Sequence, residues 1–131
     1  MSPTIVNPDG LHDPTPFGYG HVAVASGELV FVAGQYASDG DGGVAADDFA
    51  EQVRIAFGHL RTALAAVGLE YEHVVQLRTH IVDHDLDRLA VLGEAIAGIW
   101  GDRPPTQTLS GVARLALPGM LFEVDAVAVR P

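Results

Sequence analysis

Leu121-Phe122-Glu123-Val124-Asp125-Ala126-Val127-Ala128-Val129, residues 121–129, is the stretch from which the fold of this chain can be read. Its apolar and β-branched content marks a strand. Side chains alternate between the two faces of a strand, so Phe122, Val124, Ala126 and Ala128 share one face. Glu123, Asp125, Val127 and Val129 share the other. A strand with one face in water alternates cleanly between apolar and polar, and this one is polar over only half of its second face. Leu29-Val30-Phe31-Val32-Ala33 is apolar on both faces. A sheet holding these two strands needs cover on both sides.

Upstream, His21–Ala25 reads as another strand, and the turn Ser26-Gly27-Glu28 ahead of Leu29–Ala33 signals a hairpin. The residues before Tyr19 are rich in Pro, Gly and Asp and read as loop, with a short edge strand at Ile5-Val6. Phe49, Val53, Ala56, Leu60, Leu64 and Val67 recur every three or four residues and define a helix. Asp48 is its N-cap, Glu51 follows three residues on, and Gly68 stands at the C-terminal end. Val74–Val82 is strand-like, and Leu86, Leu89, Leu92, Ile96 and Ile99 define a second helix between Asp85/Asp87 and Gly101. Thr106–Val112 adds a strand after Pro104-Pro105. The order β-β-α-β-α-β-β in one domain, 1–131, is an α/β (α+β) fold with two helices on one face of a mixed sheet. Two helices leave the other face bare. Its apolar content is too large a patch for solvent, so it is expected to be buried against further copies of the chain, or else beneath the N-terminal loop.

Composition removes several function classes. The chain has no cysteine, which excludes disulfides, thiolate catalysis and cysteine metal sites. No apolar run approaches the roughly 20 residues of a membrane span, and Met1-Ser2-Pro3-Thr4 lacks the start of a secretory signal. A cytoplasmic location without a membrane partner is expected. The basic residues, seven in all and every one an arginine, face 17 acidic residues, for a net charge of −10. They are scattered singly along the chain, whereas a polyanion partner needs clustered cations to displace counterions. No nucleic-acid partner is expected.

His80 and His84 stand four apart, but one falls in a strand and the other in the turn after it. They read as a solvent-facing pair at a strand end and not as a metal site. The Asp39/Asp41 loop has Ala50 where a calcium loop requires glutamate, and the glycines of 38–43 lack the Gly-Lys-Ser/Thr ending of a phosphate cradle. No metal and no cofactor is expected. Local spacing shows no Ser-His-Asp set, with Ser26, Ser38 and Ser110 left open, and assigns His21 and His59 no partner. Glu123 is the candidate that stands out. It and Asp125 are carboxylates on one face of the most apolar strand, where each needs a partner or a function. Glu123 is therefore either catalytic or ligand-contacting, or half of a structural pair with an arginine across the subunit interface.

Several segments, in order and spacing, resemble the RidA/YjgF family, also described as L-PSP-type endoribonuclease. Phe17-Gly18-Tyr19-Gly20-His21 resembles the family's Gly-Pro-Tyr-Ser-Gln segment, and Val30–Gln35 resembles its strand ending in Ser-Gly-Gln. Gln52 and Leu60 match residues of its first helix, with His59 where Asn is usual and Gly93 where the second helix often has Asn. Pro104–Val112, Leu117-Pro118 and Phe122–Ala128 resemble its Pro-Ala-Arg strand, Leu-Pro turn and closing Glu-Ile-Glu-Ala strand. The resemblance implies a chorismate-mutase-like fold assembled as a trimeric barrel, a homotrimer with small-molecule clefts between subunits. It further implies hydrolysis of reactive enamines and imines to keto acids and ammonia. The family's glutamate, which positions or activates water, falls on Glu123. Its carboxylate-gripping arginine falls on Gln107, or on Thr106 after a one-residue slip, and neither carries charge. Tyr19, Gly34 and Gln35 complete the candidate substrate-binding set.

Three functions are compatible with these residues. One is a 2-iminobutanoate/2-iminopropanoate deaminase-like hydrolase with an altered substrate, using Glu123 for the water and the backbone around Gly34 and Gln107 for the substrate. A second is a trimer that binds a small metabolite without turnover. The third, an endoribonuclease, is the weakest on charge.

Overall fold

A computed structural model describes residues 3–131. Met1 and Ser2, the first half of the N-terminal stretch read for a signal, lie outside the described residues. The elements are β1 (Thr4–Val6), β2 (Val22–Val24), β3 (Glu28–Gln35), α1 (Phe49–Ala65), β4 (Val74–Val82), α2 (Leu86–Trp100), β5 (Thr106–Val112) and β6 (Phe122–Arg130). β3, β6, β4 and β5 form a mixed sheet in that order: β6 is antiparallel to both neighbours, and β4 and β5 are parallel, joined through α2.

The helices start where the capping residues stand. The Asp48 carboxylate accepts from the Glu51 N–H, and the Asp85 carboxylate accepts from the Arg88 N–H, each satisfying a free first-turn donor. The apolar stripe of α1 buries Val53, Ala56, Leu60 and Leu64 against β6, joined by Leu92 and Ile96 of α2. Phe122 sits at the centre, with the Phe49 and Phe57 rings at 6.1 and 5.8 Å. Gln52 is fully buried in this apolar layer because its amide is satisfied: Nε2 donates to the Ala46 and Gly119 carbonyls and Oε1 accepts from the Leu121 N–H. It ties the loops on both sides of the core to α1.

The expected hairpin of the first two long strands is not formed. β2 pairs with β1 in a separate two-stranded sheet, while β3 pairs with β6. Gly27 is the reason. Its φ of +135° sends the chain away from β2, and a Cβ there would lie 2.0 Å from the Arg130 carbonyl oxygen, so the turn hands the chain to the C-terminal end of β6. Glu28 then enters register opposite Arg130 and bonds its side chain.

The face turned away from the helices is open in the protomer, but it is less uniformly apolar than the sequence suggested. Leu29 and Phe31 on β3 are 60% and 72% exposed, and Val127 lies beside Phe31 on β6. The continuing rows on β4 and β5 are polar: Gln76, Arg78 and His80, then Thr108 and Ser110. The N-terminal loop does not cover Leu29 and Phe31. It lies instead at the β5 end, where Gly20 bridges to Thr106 and donates its N–H to the Pro105 carbonyl.

Candidate functional site

The functional residues expected from the sequence fall on both sides of the sheet. On the open face, Glu123 lies on β6 directly opposite His80 of β4, and Asp125 directly opposite Arg78. Glu123 is half-buried, and among the described residues its carboxylate makes no hydrogen bond or ion pair. It packs on the backbone of Gly34: a Cβ at that position would stand 2.4 Å from Glu123 Oε1. Only a glycine leaves the space that this carboxylate occupies. Gln35, next in β3, turns its amide back to donate to the Ala33 carbonyl.

Asp125 behaves differently from its neighbour. Arg78 Nε donates to its Oδ1 at 2.8 Å, and His80 Nε2 lies 3.1 Å from its Oδ2. The carboxylate beside it raises Arg78 above the ordinary guanidinium range, chiefly through the hydrogen bond. Asp125 is thus a structurally paired carboxylate, but its arginine comes from the same chain and not from across a subunit interface. His80 is correspondingly not half of a solvent-facing pair with His84; it is partly buried and held by Asp125.

Gln107 faces the other way. It stands opposite the buried Leu77, and its Oε1 accepts from Thr79 Oγ1 at 2.9 Å while its Nε2 donates to the Gly18 carbonyl. Within one protomer Gln107 and Glu123 thus lie on opposite faces of the sheet and do not share a cleft. With Tyr19, Gln107 lines a cavity of about 450 Å³ between the N-terminal loop, β5 and α2, whose other walls include His12, Phe17, Leu92 and Gly93. No charged arginine lines it. A second recess of about 400 Å³ adjoins at the β5 end and gathers Tyr19, Thr106 and Gln107 with Gly20, His21 and Gln76. Thr106 is tied to the backbone there, its hydroxyl donating to the Val75 carbonyl.

One residue of this region, His12, is not among the sequence candidates, and His21, to which the sequence assigns no partner, is found to have one. His12 bonds the Tyr19 hydroxyl at 2.6 Å, and its ring stands edge-on to His21 and Phe17. His21 Nε2 in turn bonds the His12 carbonyl. His12, Tyr19 and His21 meet through a folded loop with no period, so only the density of His and aromatic residues in 12–21 could have pointed to them. Among the described residues no three His, Asp or Glu side chains converge as metal ligands do, and no helix is long and apolar enough to cross a membrane.

The family model described as Endoribonuclease L-PSP matches residues 12–130. The chain belongs to the RidA/YjgF family. It is 31% identical to the RutC family protein YjgH of Escherichia coli over 131 residues, covering 98% of this chain and 95% of that protein. A crystal structure of the Rid family protein YyfB from Yersinia pestis superposes with a TM-score of 0.93 at 32% identity, over 99% of this chain and all of that one. The structure of E. coli TdcF with bound serine superposes with a TM-score of 0.69 at 27% identity, over 82% of this chain and 85% of that one. The mixed sheet with its two helices is the fold of this RidA/YjgF group.

Proposed function

We propose that this RidA/YjgF chain is a hydrolase of small reactive imines or enamines, working as a cytoplasmic homotrimer with its clefts between subunits. The observation that carries the reading is Glu123: a half-buried carboxylate without a partner among the described residues, held over Gly34. Such a group is placed to take a proton from a water that adds to the imine carbon. The carbinolamine then collapses to a carbonyl compound and ammonia. General-base assistance of this kind contributes about 10²–10⁴-fold. The exposed Leu29 and Phe31 supply an apolar surface for further copies of the chain.

The altered recognition residue narrows the substrate. A guanidinium grips a carboxylate through a bidentate, charge-assisted pair, and Gln107 has no charge to offer and is already bonded to Thr79 and Gly18. The relative that carries serine in its structure binds a molecule with a carboxylate. This chain is read as acting on imines that lack one.

Arginine placement speaks against the ribonuclease reading. Arg54, Arg61, Arg78 and Arg130 are each paired with an acidic side chain, and Arg88 is stacked over Phe49. That leaves little cationic surface for a phosphate backbone.

The test compares two imine classes made in situ: neutral imines from an amine oxidase and carboxylate-bearing imines from an amino-acid oxidase. Wild-type protein is expected to accelerate release of ammonia from the neutral class and to do little with the other. Glu123→Gln is expected to lose on the order of 10² or more in turnover at an unchanged melting temperature. An active Glu123→Gln protein would remove the glutamate from the reaction and leave a binding trimer as the better account.

A further inference from the structure

Glu123 alone can activate water, but imine hydrolysis also needs a proton delivered to nitrogen. The open face holds a group suited to that. His80 stands directly opposite Glu123 across the β4–β6 pair, on the same face, where cross-strand Cβ atoms lie about 5 Å apart. Its ring is not free to turn, because Nε2 is held 3.1 Å from Asp125 Oδ2. Asp125 is itself fixed by Arg78, whose Nε donates to the second carboxylate oxygen at 2.8 Å. The other ring nitrogen, Nδ1, has no protein partner among the described residues. Orientation of an imidazole through one nitrogen, with the second left available, is the arrangement by which a carboxylate prepares a histidine for proton transfer.

We propose that His80 is a second catalytic group of the open face, delivering the proton that Glu123 cannot, with Asp125 and Arg78 as its positioning residues. The proposal rests on the imine-hydrolase reading and extends it. As water adds to the imine carbon, Glu123 takes the water proton and the His80 imidazolium protonates the imine nitrogen, giving the neutral carbinolamine. In the collapse the carbinol hydroxyl returns its proton to His80, the C–N bond breaks, and the proton on Glu123 leaves with the nitrogen as ammonia. Both groups end as they began. The working state therefore needs Glu123 ionised and His80 protonated, so the mechanism requires activity to fall toward alkaline pH. The groups facing His80 are Glu123 and Asp125 from β6, Arg78 on its own strand and the uncharged Ser110 from β5.

The experiment uses the neutral imine from the amine oxidase, with wild type, Glu123→Gln, His80→Gln, Asp125→Asn and His80→Ala. Wild type is expected to lose activity on the alkaline side of its pH profile. His80→Gln should lower kcat on the order of 10–100-fold with KM little changed, and should remove that alkaline limb. Asp125→Asn should lower kcat less, again without moving KM. Added imidazole should restore part of the rate of His80→Ala, which loss of a merely structural contact would not allow. A wild-type profile without an alkaline limb overturns the proposal even where the variants fail to fold. Retention of rate and limb by His80→Gln, with Glu123→Gln inactive, overturns His80 and leaves the glutamate in place. Wild-type protein that accelerates neither imine class overturns both.

Discussion

On β4, Leu77, Thr79 and Ile81 face the helices and are fully buried, whereas Gln76, Arg78 and His80 face the opposite side and stay accessible to differing degrees. The same alternation runs through β6, with Phe122, Val124 and Ala126 on one side and Glu123, Asp125 and Val127 on the other. The helix-covered face follows one rule, dense apolar packing, and its two buried polar residues, Gln52 and Thr79, are satisfied by hydrogen bonds within the chain. The open face follows none so simple. It grades from bare Leu29 and Phe31 on β3, through the charged rows at Glu123/His80 and Asp125/Arg78, to the hydroxyls of Thr108 and Ser110. A face with one solvent in view evolves one chemistry. A face that is apolar at one edge and charged in the middle fits a surface partly covered by another copy and partly turned to a ligand.

The largest difference between the faces should appear on truncating a phenylalanine. Phe122→Ala opens a cavity between Phe49 and Phe57 and is expected to cost about 3–5 kcal/mol in denaturant unfolding. Phe31 should matter to assembly instead. Phe31→Asp leaves the protomer core untouched, so the helical signal should persist while sedimentation shows a monomer in place of the proposed trimer. A Phe31→Asp protein that stays trimeric would place the assembly surface elsewhere, and the comparison of the two faces would lose its explanation.

Gly34→Ala sharpens the comparison within the open face. The added methyl claims the place of the Glu123 carboxylate, which sits at the end of a flexible side chain and can move away. Turnover should fall at least about tenfold, since misplacing a reacting group by an ångström is costly, while the melting temperature changes little. A marked loss of stability with full activity would mean that the carboxylate is there for packing.

How much of this was legible follows from the same division. The helix-covered face could be read from sequence because burial imposes periods: the stripe from Phe49 to Leu64 and the alternation Phe122/Val124/Ala126 both mark residues that prove buried, whereas Val67, read as the end of that stripe, lies beyond α1 and is exposed. The cap Asp48 was legible because its chemistry is local, and the start of α2 was legible as Asp85/Asp87, of which Asp85 is the cap. The false hairpin shows the limit. Ser26-Gly27-Glu28 has the composition of a tight turn, but its geometry is set by Arg130, more than a hundred residues away in sequence. The site was legible in part, for Glu123 and Asp125 on one face follow from a period of two. That Asp125 is satisfied by Arg78 and His80 while Glu123 is not depends on strand register, which the sequence of β6 does not contain. The separation of Gln107 from Glu123 depends on the register of β5 in the same way.

The smallest expected effect contrasts two adjacent residues, Arg78 and Thr79, each holding a side chain on its own face. Thr79→Val keeps the shape of a fully buried side chain and removes the donor to Gln107 Oε1. Leaving that acceptor without a partner should cost about 1–2 kcal/mol, and because the bond is neutral and buried the loss should be the same at low and high salt. Arg78→Gln removes a pair whose guanidinium is largely exposed, so it should cost at most about 1 kcal/mol. That cost should shrink further near 1 M salt, where the screening length is about 3 Å. Denaturant melts of both variants at two salt concentrations separate the cases. A salt-sensitive Thr79→Val, or an Arg78→Gln loss that is large and indifferent to salt, would show that the two faces of β4 do not differ in kind.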